Sequence, residues 1–221
     1  MRALTLVLLT SLAFAGEEEN KRLDESAVVL EEIMSVSDKA IPQDLLEKAQ
    51  CAVIVPGLKK GGFIVGAKYG RGFATCRMPG GKGWTGPVGM RIEGGSFGLQ
   101  IGGSESDVVL LVMNKRGMDR LLSSKFTLGG EASVAAGPVG RDTQAQTDAT
   151  MRAEILSWSR SRGVFAGIAL QGATLRGEDD TDRGLYGKNV SRRDVLEGKV
   201  PAPKSASKLL TLLNKYSSRK G

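Results

Sequence analysis

The chain is predicted to be α+β, with a strongly curved or barrel-like antiparallel sheet of glycine-rich strands and helices near the N-terminus, in the middle and at the C-terminus. Three observations predict this. Short apolar runs recur from residue 51 onward, separated by turns rich in Gly and Pro. Glycine is abundant, 30 of 221 residues, and glycines inside apolar runs mark strands that bend, bulge or pack backbone to backbone. Helical periodicity is confined to segments at the two ends and one between strands.

In order, residues 20–36 predict an amphipathic helix, with Leu23, Ala27, Leu30, Ile33 and Met34 at spacings of three and four. Pro42 suits the first turn of a short helix bearing Leu45, Leu46 and Ala49. Strands are expected at 51–55, 62–69 and 72–76, then a loop leading to Trp84. Strands at 96–102 and 108–113 flank a polar turn, and 114–124 reads as a helix with Met118, Leu121 and Leu122 inward. Strand patterns return at 131–136, 153–159 and 164–175. Residues 204–219 form a candidate basic amphipathic helix after Pro201 and Pro203.

Residues 1–15 are expected to be a cleaved signal peptide: Arg2 is the basic start, Leu4 to Leu12 the apolar stretch, and Ala13-Phe14-Ala15 the small-x-small cleavage site. The apolar stretch is shorter than the roughly 20 residues that span a bilayer. Export to the periplasm or beyond is therefore expected, with residues 16–198 as the domain and 199–221 as a basic tail. Export also removes nucleic acid from the expected partners. In an oxidising compartment an even cysteine count favours a Cys51–Cys76 disulfide; two free buried thiols are the alternative, because spacing does not fix geometry.

The chain carries 31 basic and 24 acidic residues. Once Arg2 is removed, Lys199, Lys204, Lys208, Lys215, Arg219 and Lys220 account for the whole positive excess. The body is neutral and the tail is basic, which calls for an anionic partner. Histidine is absent, which excludes His general acid/base chemistry, Ser-His-Asp and Cys-His nucleophiles and His metal sites.

Several segments taken together resemble a known family. They are Ala52-Val53-Ile54-Val55-Pro56, Gly61-Gly62-Phe63-Ile64-Val65-Gly66, Tyr69-Gly70-Arg71-Gly72 and Trp84 with Gly86-Pro87. There follow Gly95 to Gly103, Val112-Met113-Asn114, Gly137-Pro138-Val139-Gly140-Arg141, Ser159 to Gly167, and Leu185-Tyr186-Gly187. This ordered series, over about residues 25–198, resembles the SYLF domain. The resemblance implies binding of membrane lipid, phosphoinositides in eukaryotic relatives, and actin filaments in some fungal ones. Eukaryotic members use an N-terminal amphipathic helix at the membrane. This chain departs from them, with a signal segment first and a glutamate-bearing helix at 20–36.

Two basic clusters are candidate lipid contacts. Lys59 and Lys60 are placed at the tip of a hairpin, with Lys68 and Arg71 nearby. In the tail, Lys204, Lys208, Lys215, Arg219 and Lys220 flank Leu209, Leu210, Leu212, Leu213 and Tyr216. That helix either lies in a membrane interface or packs its leucines on the domain. The acidic run from Glu178 to Asp182 lacks the spacing of a calcium loop and reads as a solvated loop. Ser96, Ser104, Ser133 and Thr150 have no visible base, and no metal or cofactor is expected. The expected function is non-enzymatic binding of anionic phospholipid or a membrane surface. An envelope protein binding another protein or a wall polymer is the alternative, and a carboxylate-based glycan hydrolase is a third reading.

Overall fold

The computed structural model describes residues 3–36, 41–62, 65–97, 102–139, 152–161, 164–167 and 170–217, with α1 side chains from Gly16 onward. The helices are α1 (Ala3–Ser35), α2 (Gln43–Lys48), α3 (Lys115–Leu121), α4 (Asp179–Tyr186), α5 (Arg192–Leu196) and α6 (Ser207–Tyr216). The strands are β1 (Cys51–Gly62), β2 (Val65–Cys76), β3 (Val88–Phe97), β4 (Gly102–Val112), β5 (Lys125–Thr127), β6 (Val134–Ala136), β7 (Ile155–Ser161), β8 (Val164–Gly167) and β9 (Thr174–Gly177).

Eight strands form one path, β5-β9-β3-β2-β1-β4-β7-β6, and β8 joins beside β7. Every pairing is antiparallel except β6 with β7. The α+β class and the curvature follow the expectation, and the chain itself enforces the curl. β5 and β6 lie at opposite ends of the path, yet only residues 128–133 separate them. Laid flat, eight strands would hold their outer members roughly 34 Å apart. The linking chain, fully stretched, reaches roughly 24 Å. The sheet must therefore roll up until its edges approach.

Both faces of the central strands are buried at their covered ends, which is why 51–55 of β1 and 108–112 of β4 read as continuous apolar runs. Alternate residues serve two cores. Val53, Val55, Leu58, Ala74, Met90, Ile92, Val108 and Leu110 fill the inside of the curl, with Leu121 of α3 and Leu196 of α5 closing it. Ala52, Ile54, Phe73, Val109, Leu111 and Trp158 face outward, beneath Leu23, Leu30 and Ile33 of α1 and Leu46 of α2. Each large aliphatic side chain so buried stabilises the fold by about 1.5–3 kcal/mol before chain entropy is set against it. Cys51 and Cys76 face each other across β1 and β2 and are bonded.

Several elements differ from expectation. The strands expected at 62–69 and 72–76 are one strand from Val65 on, β2, because Gly70 and Gly72 continue its ladder, while Gly62 ends β1 and residues 63–64 lie outside the described residues. The polar turn expected near residues 103–107 lies inside β4, where Ser106 and Asp107 pair with their neighbours. The acidic run is no solvated loop: it opens α4, and Thr181 and Asp182 are buried. Of the two arrangements open for the tail helix, its leucines take the packed one: Leu209, Leu212 and Leu213 of α6 close the outer core against α1.

Candidate functional site

The sheet has a covered end and a free end. The change occurs at a bulge in β1, where Pro56-Gly57 shifts the register between Val55 and Leu58. Gly57 has φ +58°, a conformation that L side chains rarely adopt. Its N–H donates to Asp107 Oδ1 at 3.0 Å, and the same carboxylate accepts from Arg160 Nε at 2.8 Å. Burial holds the Asp107 carboxyl above its ordinary pKa, opposed by the Gly57 N–H. Beyond the bulge, α1 no longer covers the sheet. β1 changes from fully buried to largely exposed, and Tyr69 on β2 is 46 % exposed.

Small residues recur across the described part of the free end. Gly103, Gly61, Ala67 and Gly95 stand opposite one another across β4, β1, β2 and β3. Gly102, Gly62 and Gly66 form the next row. Just behind them lie Lys59 and Lys60 of β1 and Lys68 of β2. The lysines were expected at a hairpin tip between 51–55 and 63–69. The hairpin exists, but its strands run to Gly62 and from Val65, so Lys59 and Lys60 sit within the ladder opposite Tyr69 and Lys68. Lys59 is exposed and points outward, while Lys60 and Lys68 are half-buried on the inner side. Burial, reinforced by Lys60, pushes the Lys68 pKa below its ordinary value.

Arg71 is separated in role from these lysines. Its Nε donates to Glu178 at 2.6 Å and its Nη2 to Thr181 Oγ1 at 2.7 Å, with Glu19 of α1 at 3.3 Å. Arg91 joins Glu178 from β3 at 3.2 Å, and Arg22 pairs with Glu19 and Glu18. Burial opposes the Arg71 charge, but Glu178 and Glu19 outweigh it and raise its pKa. This network ties α1 and α4 to the sheet, so Arg71, a candidate lipid contact from the sequence, is held by Glu178, Thr181 and Glu19. Glu178 and Asp182 are what sequence reasoning missed: their partners lie about a hundred residues away, and the local pattern shows only acids.

A groove of about 600 Å³ runs between α1 and the sheet beside the bulge, lined in part by Lys21, Val28, Pro56, Lys59 and Tyr69. The two basic clusters are not brought together. Ser217, which follows α6, accepts from Arg77 Nη2 at 2.9 Å and from Trp84 Nε1 at 3.0 Å, beside the Cys76 end of β2. That is eight residues, roughly 26 Å, from Lys68 along the strand. Lys204, Lys208 and Lys215 are exposed. Arg219 and Lys220 lie outside the described residues. Among the described residues no cluster of His, Cys, Asp or Glu is arranged to hold a metal.

Comparison with known proteins adds a family. Residues 93–216 match the Ysc84 family, described as "Las17-binding protein actin regulator". The chain is 33% identical over 201 residues to "SH3 domain-containing YSC84-like protein 1" of Rattus norvegicus, covering 88% of this chain and 58% of the relative. The Homo sapiens protein of that name is 31% identical over the same length, with the same coverage. "Protein YSC84" of Saccharomyces cerevisiae is 31% identical over 181 residues, covering 80% of this chain and 38% of the relative. The chain thus spans little more than half the length of the animal relatives it matches.

Proposed function

The chain belongs to the Ysc84 (SYLF) family, and from that premise we propose that it is a non-enzymatic module that docks on anionic phospholipid surfaces outside the cytoplasm. The observation that carries this reading is the free end of the sheet. Among the described residues, four strands project past the covering helices, and their rows of glycine hold three lysines, Lys59, Lys60 and Lys68, beside Tyr69, Ser104 and Glu105. A lysine near an anionic surface contributes about 1 kcal/mol, weakened by salt. The glycines at Gly61, Gly62, Gly66, Gly102 and Gly103 leave room beside those ammonium groups for headgroups. The tail lysines on α6 face solvent near the other end and act as a separate, weaker contact, because their leucines are engaged in the core.

Export follows from the signal segment, and the bonded Cys51–Cys76 pair is in keeping with an oxidising compartment. The test is sedimentation of the processed chain, residues 16–221, with phosphatidylglycerol and with phosphatidylcholine vesicles. Binding is expected to the first only and to fall steeply with salt. Charge reversal by Lys59→Glu with Lys60→Glu should weaken it by roughly 30-fold or more. Equal binding to both vesicle types, or none to phosphatidylglycerol at low salt, rejects the reading. A second reading, an envelope protein that binds another protein, takes support from the printed family description. Capture of a protein partner without vesicle binding would select it.

A further inference from the structure

The inner side of the free end holds a charge arrangement that no ion pair neutralises among the described residues. Lys60 follows Leu58 on the inward side of β1, and Lys68 precedes Gly70, whose missing Cβ would meet Leu58 at 2.8 Å. The register sets Lys60 directly opposite Lys68. Like charges directly opposite across an antiparallel pair are destabilising. No carboxylate pairs with either lysine among the described residues, whereas Lys48 and Lys199 each have one. Both ammonium-bearing chains are half-buried as well. Lys68 lies down because its neighbour on β3 is Gly94: its Cε is 3.5 Å from where a Cβ at Gly94 would stand.

The surroundings are those of a receptor for an anion. Ser104 of β4 stands opposite Lys60 on the other side and adds a hydroxyl donor to the same row. One row farther out, Gly62, Gly66 and Gly102 place no side chain between the lysines and the open end. Residues opposed in a ladder have Cα atoms about 4.5–5.5 Å apart, so the two flexible side chains can swing together onto one tetrahedral oxyanion. We propose that Lys60, Lys68 and Ser104 form a binding site for one phosphate monoester dianion. Two cations match a dianion, and a phosphodiester with its single charge leaves one lysine uncompensated. The phosphate is carried either by a lipid headgroup with a terminal phosphate or by a free phosphate compound. Only the lipid source rests on the membrane reading above.

The test uses residues 16–221 and two probes. In a low-salt buffer, inorganic phosphate should raise the Tm of the parent chain. Lys68→Gln should have a higher Tm than the parent before phosphate is added, because the like-charge contact is gone, and should lose the phosphate-induced rise. Lys60→Gln should behave in the same way, and Lys82→Gln, on an exposed loop, should respond as the parent does. A solvated lysine pair with no ligand would show neither effect. In the second arm, vesicles of phosphatidic acid are compared with phosphatidylglycerol vesicles of equal total charge. Lys60→Gln with Lys68→Gln should reduce phosphatidic acid binding by roughly tenfold more than phosphatidylglycerol binding. If phosphate leaves the parent Tm unmoved, or moves Lys68→Gln equally, the site is refuted even where vesicles bind. A phosphate response without vesicle binding keeps the site and removes the membrane reading.

Discussion

The two ends of the β1–β2 hairpin are made by the same pair of strands and do opposite things. At the Cys51–Cys76 end, both faces are buried, the strands are covalently tied, and every inward position is apolar. At the Gly62–Val65 end, side chains thin out to glycine, lysines take the inward positions, and the covering helix is absent. The switch requires only the two-residue bulge at Pro56-Gly57 and its carboxylate anchor, Asp107. The comparison teaches that a strand can be divided lengthwise between stability and recognition. Glycine means something different in each half: close packing at the covered end, open access at the free end.

The most direct way to break this contrast is to cut the covered end. Reduction of Cys51–Cys76, or replacing both with Ala, opens a loop spanning 25 residues and should cost about 3–4 kcal/mol in the chain-entropy model. Urea unfolding with and without reductant measures it, and vesicle binding by the still-folded fraction should be retained. Paired glycine substitutions sharpen the contrast. A Cβ at Gly72 would stand 1.9 Å from the Ile54 carbonyl oxygen and 2.6 Å from the Val55 Cα, so Gly72→Ala should cost about 3 kcal/mol. At Gly61 nothing lies within 4 Å of such a Cβ, and Gly61→Ala should change stability by less than about 0.5 kcal/mol. Equal losses at the two positions would abolish the distinction.

A smaller effect than the loss at Gly72 concerns the acid that holds α4 to the covered half. Asp182 accepts from the Gly89 N–H at 2.6 Å, its second oxygen has no partner, and burial pushes its pKa to about 6 despite that bond and the nearby Arg192. The folded value lies above the ordinary 3.8, so the native state binds the proton more tightly than the unfolded chain does. The stability that follows from protonation is present below about pH 4 and lost as pH rises through about 6. Asp182→Asn keeps the acceptor for Gly89 and removes the charge. It should gain about 2 kcal/mol at pH 7.5 and nothing at pH 4. Denaturant curves at the two pH values decide it, and a gain that does not depend on pH would refute the burial argument.

Much of this was legible from residues. The apolar stripe Leu23-Ala27-Leu30-Ile33 is buried as its spacing implies, and the short apolar runs with glycine punctuation form a curved antiparallel sheet. Two kinds of feature were not legible. A turn and a polar strand look alike locally, so Ser104 to Asp107 read as a break, although pairing to β1 keeps them in the ladder. Glu178 and Asp182 looked solvated because Arg71 and Gly89, which justify their burial, are remote in the sequence. The basic candidates divided for the same reason. Local spacing could not show that Arg71 would be consumed by Glu178 and Glu19, or that Lys60 and Lys68 would be left facing each other.

Arg77 has a consequence for how the molecule comes into being. Its guanidinium, beside Trp84, donates to carbonyls at the ends of two helices: Leu46 and Ala49 near the close of α2, and Ser217 after α6. One contributor is among the first fifty residues and another is among the last five. A chain growing from its N-terminus therefore cannot complete this knot until synthesis is essentially over. Until then α2 lacks its cap and the outer core lacks the α6 leucines.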